Sequence, residues 1–206
     1  MRNKGLVFLL IFGVLLTSTI GAKAVDLRLG AQAQFLPDFS ELTDDGADLG
    51  SLFTELDNYT FGADLRLKLF MAELGLGATF GQYVDGSDTY TEISTLTTAG
   101  LAFDLLFMRL GIGMGPRFRV FVGDGGAYVL DDADTIQPWD NFGDAFLKSP
   151  VAVKANVDFR LGKISLGVSY TVDTVYTFEK YDEVKDLFSA EWEKGRFGVG
   201  VYYSFF

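Results

Sequence analysis

The sequence predicts an all-β fold, an up-and-down barrel of eight antiparallel strands. Three observations carry that reading. Eight stretches alternate apolar and polar residues with a period of two, the signature of strands with two unlike faces. The connections between them alternate between tight turns and longer loops. The chain also ends on a bare aromatic strand, Lys194 to Phe206, and a terminal strand stays ordered only when it is tied into structure. A barrel that pairs its last strand with its first supplies that tie. Composition agrees: 24 Gly, 20 Phe and 4 Pro in 206 residues suit long strands, and the aromatic content does not suit disorder.

The N-terminus reads as an export signal. Arg2 and Lys4 precede an apolar run from Gly5 to Leu16, and Ala22-Lys23-Ala24 forms an A-x-A site. Cleavage is expected after Ala24. That leaves residues 25–206 as one barrel domain and residues 1–24 as a signal peptide. No other stretch approaches eighteen apolar residues, so no transmembrane helix is expected. The absence of Cys excludes disulfides and a lipid-anchored N-terminus.

Val25 to Leu36 is the first strand. Its odd positions (Val25, Leu27, Leu29, Ala31, Ala33, Phe35) are apolar, and Asp26, Arg28, Gly30, Gln32 and Gln34 alternate with them. Residues 37–57 form an acidic loop in which Leu49, Leu52, Phe53 and Leu56 make the stripe of a short helix. Asn58 to Leu69 is again apolar at odd positions. From Ala72 the apolar phase is even: Leu74, Leu76, Ala78, Phe80. A two-residue turn at Phe70-Met71 explains the flip, because facing strands keep their apolar sides together. Asp85-Gly86-Ser87-Asp88 marks the next loop, 85–91. The same flip recurs at Leu106-Phe107 and at Gly162-Lys163, and Gly-Lys is a good type II′ pair. The longest loop is 123–149, with the run Asp131-Asp132-Ala133-Asp134. The last is 177–193, where Tyr181, Val184, Phe188 and Trp192 stand at near-helical spacing. Three tight turns opposite four longer loops is the asymmetry of a transmembrane barrel. Strands of about 11 residues, tilted at about 45°, span the hydrocarbon core.

Charge decides which face points outward. The polar phase carries Asp26, Asp64, Glu73, Glu92, Asp104, Asp158 and Asp173 against Arg28, Arg66, Lys68, Arg109, Arg117, Arg119, Lys154, Arg160 and Arg196. That is close to balance. The loops hold 21 acids and only four lysines, so they carry the excess of a chain whose net charge is −11. A narrow lumen needs such balance, because buried charges must be paired. The polar phase is therefore read as the interior. The site expected there is a charge network of Arg28, Asp64, Arg66, Lys68, Glu73, Asp104, Arg109, Asp158 and Arg160. The acidic balance argues against nucleic acid as a partner.

The closing strand resembles the C-terminal signal strand of bacterial outer-membrane barrels, which finishes on an aromatic residue. In that family the final Phe lies on the lipid-facing phase. Here that phase ends at Phe205, and Phe206 is one residue beyond it. The whole pattern resembles the small eight-stranded outer-membrane proteins of the OmpA, OmpX and OmpW types. The resemblance implies a location in the outer membrane, with its lipid bilayer as surroundings. It also implies recognition of the last strand by the barrel-assembly machinery.

No catalytic constellation is legible. The chain has no His, so neither the Ser–His nor the Asp–His pairs of barrel enzymes can be built. Asp131-Asp132-Ala133-Asp134 lacks calcium-loop spacing and reads as a solvated acidic segment, so no metal or cofactor is expected. Beside a soluble ligand-binding barrel with its apolar phase turned inward, two functions are weighed. The first is a non-enzymatic surface protein whose acidic loops meet an extracellular ligand or stabilise the envelope. The second is an OmpW-like conduit for small hydrophobic molecules, entered through the apolar loop residues Leu52, Phe53, Trp139, Phe142, Phe146, Phe188 and Trp192.

Overall fold

A computed structural model describes residues 25–37, 49–85, 88–130, 136–139, 141–190 and 192–206. The expected signal peptide, most of the acidic first loop and the run Asp131 to Asp134 lie outside the described residues.

The strands are β1 (Val25–Phe35), β2 (Tyr59–Leu69), β3 (Ala72–Asp85), β4 (Asp88–Leu105), β5 (Met108–Gly123), β6 (Gly126–Leu130), β7 (Ile136–Pro138), β8 (Pro150–Leu161), β9 (Ile164–Thr177) and β10 (Arg196–Ser204). Eight of them close a ring in the order β1, β2, β3, β4, β5, β8, β9, β10, and every neighbouring pair is antiparallel. The seam is β1 against β10, from Arg28↔Ser204 to Phe35↔Phe197. Beyond it the Phe205 N–H donates to the Leu27 carbonyl at 2.9 Å. The aromatic C-terminus is thus fastened by the first strand.

Over most of the ring the strand phases sort by burial, with exceptions near the loop end such as buried Phe35, Val151 and Val172 and exposed Val175. In β2 the alternate residues Asp64, Arg66 and Lys68 are buried, while Phe61, Leu65 and Leu69 are exposed. The same inversion runs around the ring, with Leu76 51% and Val199 60% exposed but Arg109 only 1%. The core of this molecule is polar, and its outer wall is apolar. Glycine makes the crowded interior accessible to backbone. A Cβ on Gly62 would stand 1.8 Å from the Ala78 carbonyl oxygen, and one on Gly100 2.0 Å from that of Ile112. No side chain fits at either position.

The three tight turns are the two-residue connections Phe70-Met71, Leu106-Phe107 and Gly162-Lys163. In each the first residue has positive φ: 56° at Phe70, 43° at Leu106 and 72° at Gly162. That pattern belongs to type II′ hairpins, whose twist matches the strands.

The opposite end departs from the expected loop boundaries in three ways. The loop expected at 85–91 is shorter, because β3 runs to Asp85 and β4 starts at Asp88. The alternation simply continues through Gln82 and Val84 against Thr89 and Thr91. The loop expected at 123–149 contains structure of its own. β5 folds into β6 at Gly123↔Gly126, β6 pairs with β7, and the helix α2 (Phe142–Leu147) follows. In 177–193 the near-helical spacing gives short 3-10 turns at Phe178–Lys180, Val184–Phe188 and Trp192–Lys194. The first loop holds the expected short helix, α1 (Leu49–Thr54).

Candidate functional site

The inward residues assemble into two charge clusters. The first fills the bore at the tight-turn end. Its local logic is the strand period: Asp26 and Arg28, Asp64 and Arg66, and Asp158 and Arg160 stand two apart and so share a face. Arg28 Nε donates to Asp26 at 2.8 Å, and Arg66 Nε donates to Asp64 at 2.9 Å. The register then joins strands. Asp104 and Arg109 face each other across the Leu106-Phe107 turn, and Arg109 faces Asp158 on the next strand.

Asp104 is the hub. It accepts from Lys68 Nζ at 2.5 Å, from Arg109 Nε at 2.6 Å, and from Arg160. Asp26 accepts from Arg109 Nη2 at 2.7 Å and from the Ser204 hydroxyl at 2.5 Å. Asp158, with no exposed surface, receives Arg28 and Arg66 at 3.1 Å each. Asp64 receives Lys154 Nζ at 2.8 Å. Glu73 stands apart: its nearest cation is Arg109 Nη1 at 3.6 Å, and its Oε2 has no hydrogen-bond partner among the described residues. All nine network residues expected from the sequence therefore face one interior, with eight in short ion pairs and Glu73 at the margin.

Four further members lie outside the nine expected, although Asp26 and Lys154 stand among the charges read as inward: Asp26, Lys154, Tyr202 and Ser204. Their common signal is the inward phase they share with the rest. Tyr202 is 2% exposed. Its ring occupies space left by three glycines, since a Cβ on Gly30, Gly167 or Gly200 would come within 2.8 Å of it. Its hydroxyl accepts from Arg66 Nη2 at 2.5 Å and donates to Asp64 at 3.1 Å, and the Arg66 guanidinium lies 4.2 Å from the ring centre.

The second cluster sits at the loop end. Asp173 pairs with Arg117 at 3.3 Å and Arg119 at 3.6 Å, and Glu92 pairs with Arg196 at 3.1 Å. Arg117 also donates to the Ser94 hydroxyl at 3.4 Å. Between the clusters lies a neutral polar belt that includes Gln32, Gln34, Thr79, Ser94 and Thr171. Among the described residues, one void beside Asp64 and Glu73 and another beside Arg117 and Lys154 each measure about 10 Å³. A void of that volume holds about one water molecule.

The apolar loop residues do not converge over the bore. Phe53 stacks on Phe35 at 5.0 Å, and its carbonyl accepts from the Tyr59 hydroxyl at 3.0 Å. Trp139 and Phe142 pack on Phe118 at 5.9 and 5.3 Å, and Phe146 continues from Phe142 to Phe178. Phe35 and Phe118 both belong to the outward phase, so the two groups lie along the outer wall. Leu52 is half-buried in α1, and its carbonyl accepts from Asn58. Phe188 and Trp192 are 83% and 57% exposed, and no ring contact among the described residues joins them to either group.

No protein-family model and no curated protein matches the chain. Among solved structures the chain is similar to the crystal structure of Neisserial surface protein A (NspA). The identity is 14%, the match covers 90% of this chain and 99% of that one, and the TM-score is 0.42.

Proposed function

We propose that the protein is a closed, non-enzymatic barrel of the bacterial outer membrane that anchors acidic loops at the cell surface. The observation that carries this reading is the inverted polarity of the fold. The outward phase of all eight barrel strands carries no charged residue among the described positions, and that wall is open to its surroundings. An exposed apolar surface of this extent needs a hydrocarbon environment. The inward phase is packed with ion pairs, and the voids between them at Asp64 and at Arg117 are of water size, which supports a plug rather than a path. The bilayer is one partner in this reading. The barrel-assembly machinery, engaging the terminal strand, is another. The acidic loops then meet an extracellular ligand or neighbouring envelope components. The conduit reading has less support, because the loop aromatics pack along the wall instead of rimming the bore.

Two measurements test the proposal together. Fractionated cells place the protein in the outer membrane, resistant to carbonate extraction. The purified barrel, inserted in planar bilayers, gives no stable open level. Recovery in the soluble periplasm overturns the membrane assignment, and a reproducible open level overturns the closed bore.

A further inference from the structure

The lumen carries more positive than negative charge, and the surplus is localised. At the loop end Arg117 and Arg119 share one carboxylate, Asp173. At the turn end Lys154 shares Asp64 with Arg66. Arg117 and Lys154, each sharing its carboxylate with a second cation, line the same void. No carboxylate lines it, although Asp64 and Glu73 line the other one. Arg117 is 3% and Thr171 1% exposed, yet Arg117 Nη2 and Thr171 Oγ1 have no hydrogen-bond partner among the described residues. Both residues border the void.

From these observations we propose that the lumen binds a small inorganic monovalent anion, of halide size, between the two charge clusters. Arg117, Lys154 and the Thr171 hydroxyl are its donors. Gln32 also borders the void, and its Oε1 is unpartnered. A half-turn of that amide presents Nε2 instead, at the loss of one long 3.5 Å bond to the Ala63 carbonyl. A water molecule could satisfy the same donors, but it leaves the surplus positive charge of the lumen uncompensated in a low-dielectric interior. An anion satisfies the donors and the charge. The volume, about 10 Å³, admits a single ion of roughly water size and excludes phosphate or sulfate. The anion would also join the clusters, since Lys154 belongs to the turn-end network and Arg117 to the loop-end one.

The test uses protein purified from cells in detergent and crystallised in sodium bromide. The expected result is an anomalous bromide peak within hydrogen-bonding distance of Arg117 and Lys154. An ordered water or no density at that position overturns the proposal. In solution, the thermal midpoint in chloride should exceed that in gluconate at equal ionic strength by roughly 2–6 °C, saturating with concentration. Two variants should lose that difference. K154M leaves Asp64 paired with Arg66, and T171V removes only a hydroxyl, so neither is expected to prevent folding. A midpoint indifferent to the anion in the unaltered protein, or unchanged anion dependence in both variants, also overturns the site.

Discussion

At the tight-turn end of the bore, five carboxylates hold six cations in a network of which eight members are under 5% exposed, with Glu73, Lys154 and Arg160 above that. At the loop end, two carboxylates hold three arginines, and the side chains of Arg119, Asp173 and Arg196 keep 13%, 26% and 13% exposure. The backbone follows the same division. The turn end is closed by two-residue hairpins. The loop end carries extra strands, 3-10 turns and the acidic residues that the sequence concentrates there. The difference teaches where each half draws its value. Ions without water must be fully paired, so the turn end tolerates little change. Ions with partial access to water can exchange partners, so the loop end is the half that can vary with its surroundings.

The largest effect expected from this contrast is at Asp104. Replacing it with Ala strands Lys68 and Arg160 and leaves Arg109 with Asp26 as its close carboxylate, and loss of one partner from a buried ion network costs about 3–5 kcal/mol. Asp173→Ala removes the corresponding shared carboxylate at the loop end. Water reaches Asp173, so its loss should cost less than half as much. Urea midpoints for folding into lipid vesicles compare the two. Equal losses would erase the distinction between the ends.

Tyr202→Phe is the next largest test. It keeps the ring in its glycine slot and removes only the hydroxyl between Arg66 and Asp64. A hydrogen bond to a charged partner is worth about 1.5–3 kcal/mol, so the midpoint should fall measurably without change of the barrel's circular dichroism. If the variant matches the unaltered protein, the tyrosine acts by packing alone. A loss exceeding that of Asp104→Ala would move the centre of the network from the hub carboxylate to the ring.

These targets show what the sequence makes legible. Period and parity are local, so the eight strands, the three tight turns and the inward set Arg28, Asp64, Arg66 and Asp158 can be read directly. The hub cannot. Asp104 on β4 meets Lys68 on β2 and Arg160 on β8 only after the barrel closes and its strands stagger, and no spacing along the chain encodes that. Glu73 illustrates the limit from the other side. It shares the inward phase and faces Lys68 in register, yet its closest ion pair is 3.6 Å long. Glu73→Ala is therefore a weaker probe of the network than its position suggests. The segment 177–193 is the loop expected there, with short 3-10 turns in place of a helix. Its spacing favours a helix, but Val175 donates to Ser189, Thr174 bridges Ala190, and the Tyr170 hydroxyl donates to the Trp192 carbonyl. These ties hold the loop against β9, and short helices are too marginal to compete.

The smallest expected effect lies in the turns, where the dense end of the molecule carries its own strain. Phe70 and Leu106 occupy positions with φ of 56° and 43°, whereas the third turn places Gly162 at 72°. The left-handed region costs a residue with a Cβ roughly 1–2 kcal/mol, and Gly avoids it. Leu106 is 92% exposed, so Leu106→Gly forfeits little packing. The added freedom of Gly in the unfolded chain offsets part of the relief, by roughly 0.5–1 kcal/mol. The net change is a stabilisation of about 0.5–1 kcal/mol. Gly162→Ala should run the other way and lower stability by about 1–2 kcal/mol. Nothing lies within 4 Å of the Cβ it would add, so that loss would be backbone strain alone. Urea midpoints of the two variants should therefore move in opposite directions. Movement in the same direction would mean that contacts of the Leu106 side chain outside the barrel, rather than backbone conformation, set the stability of these hairpins.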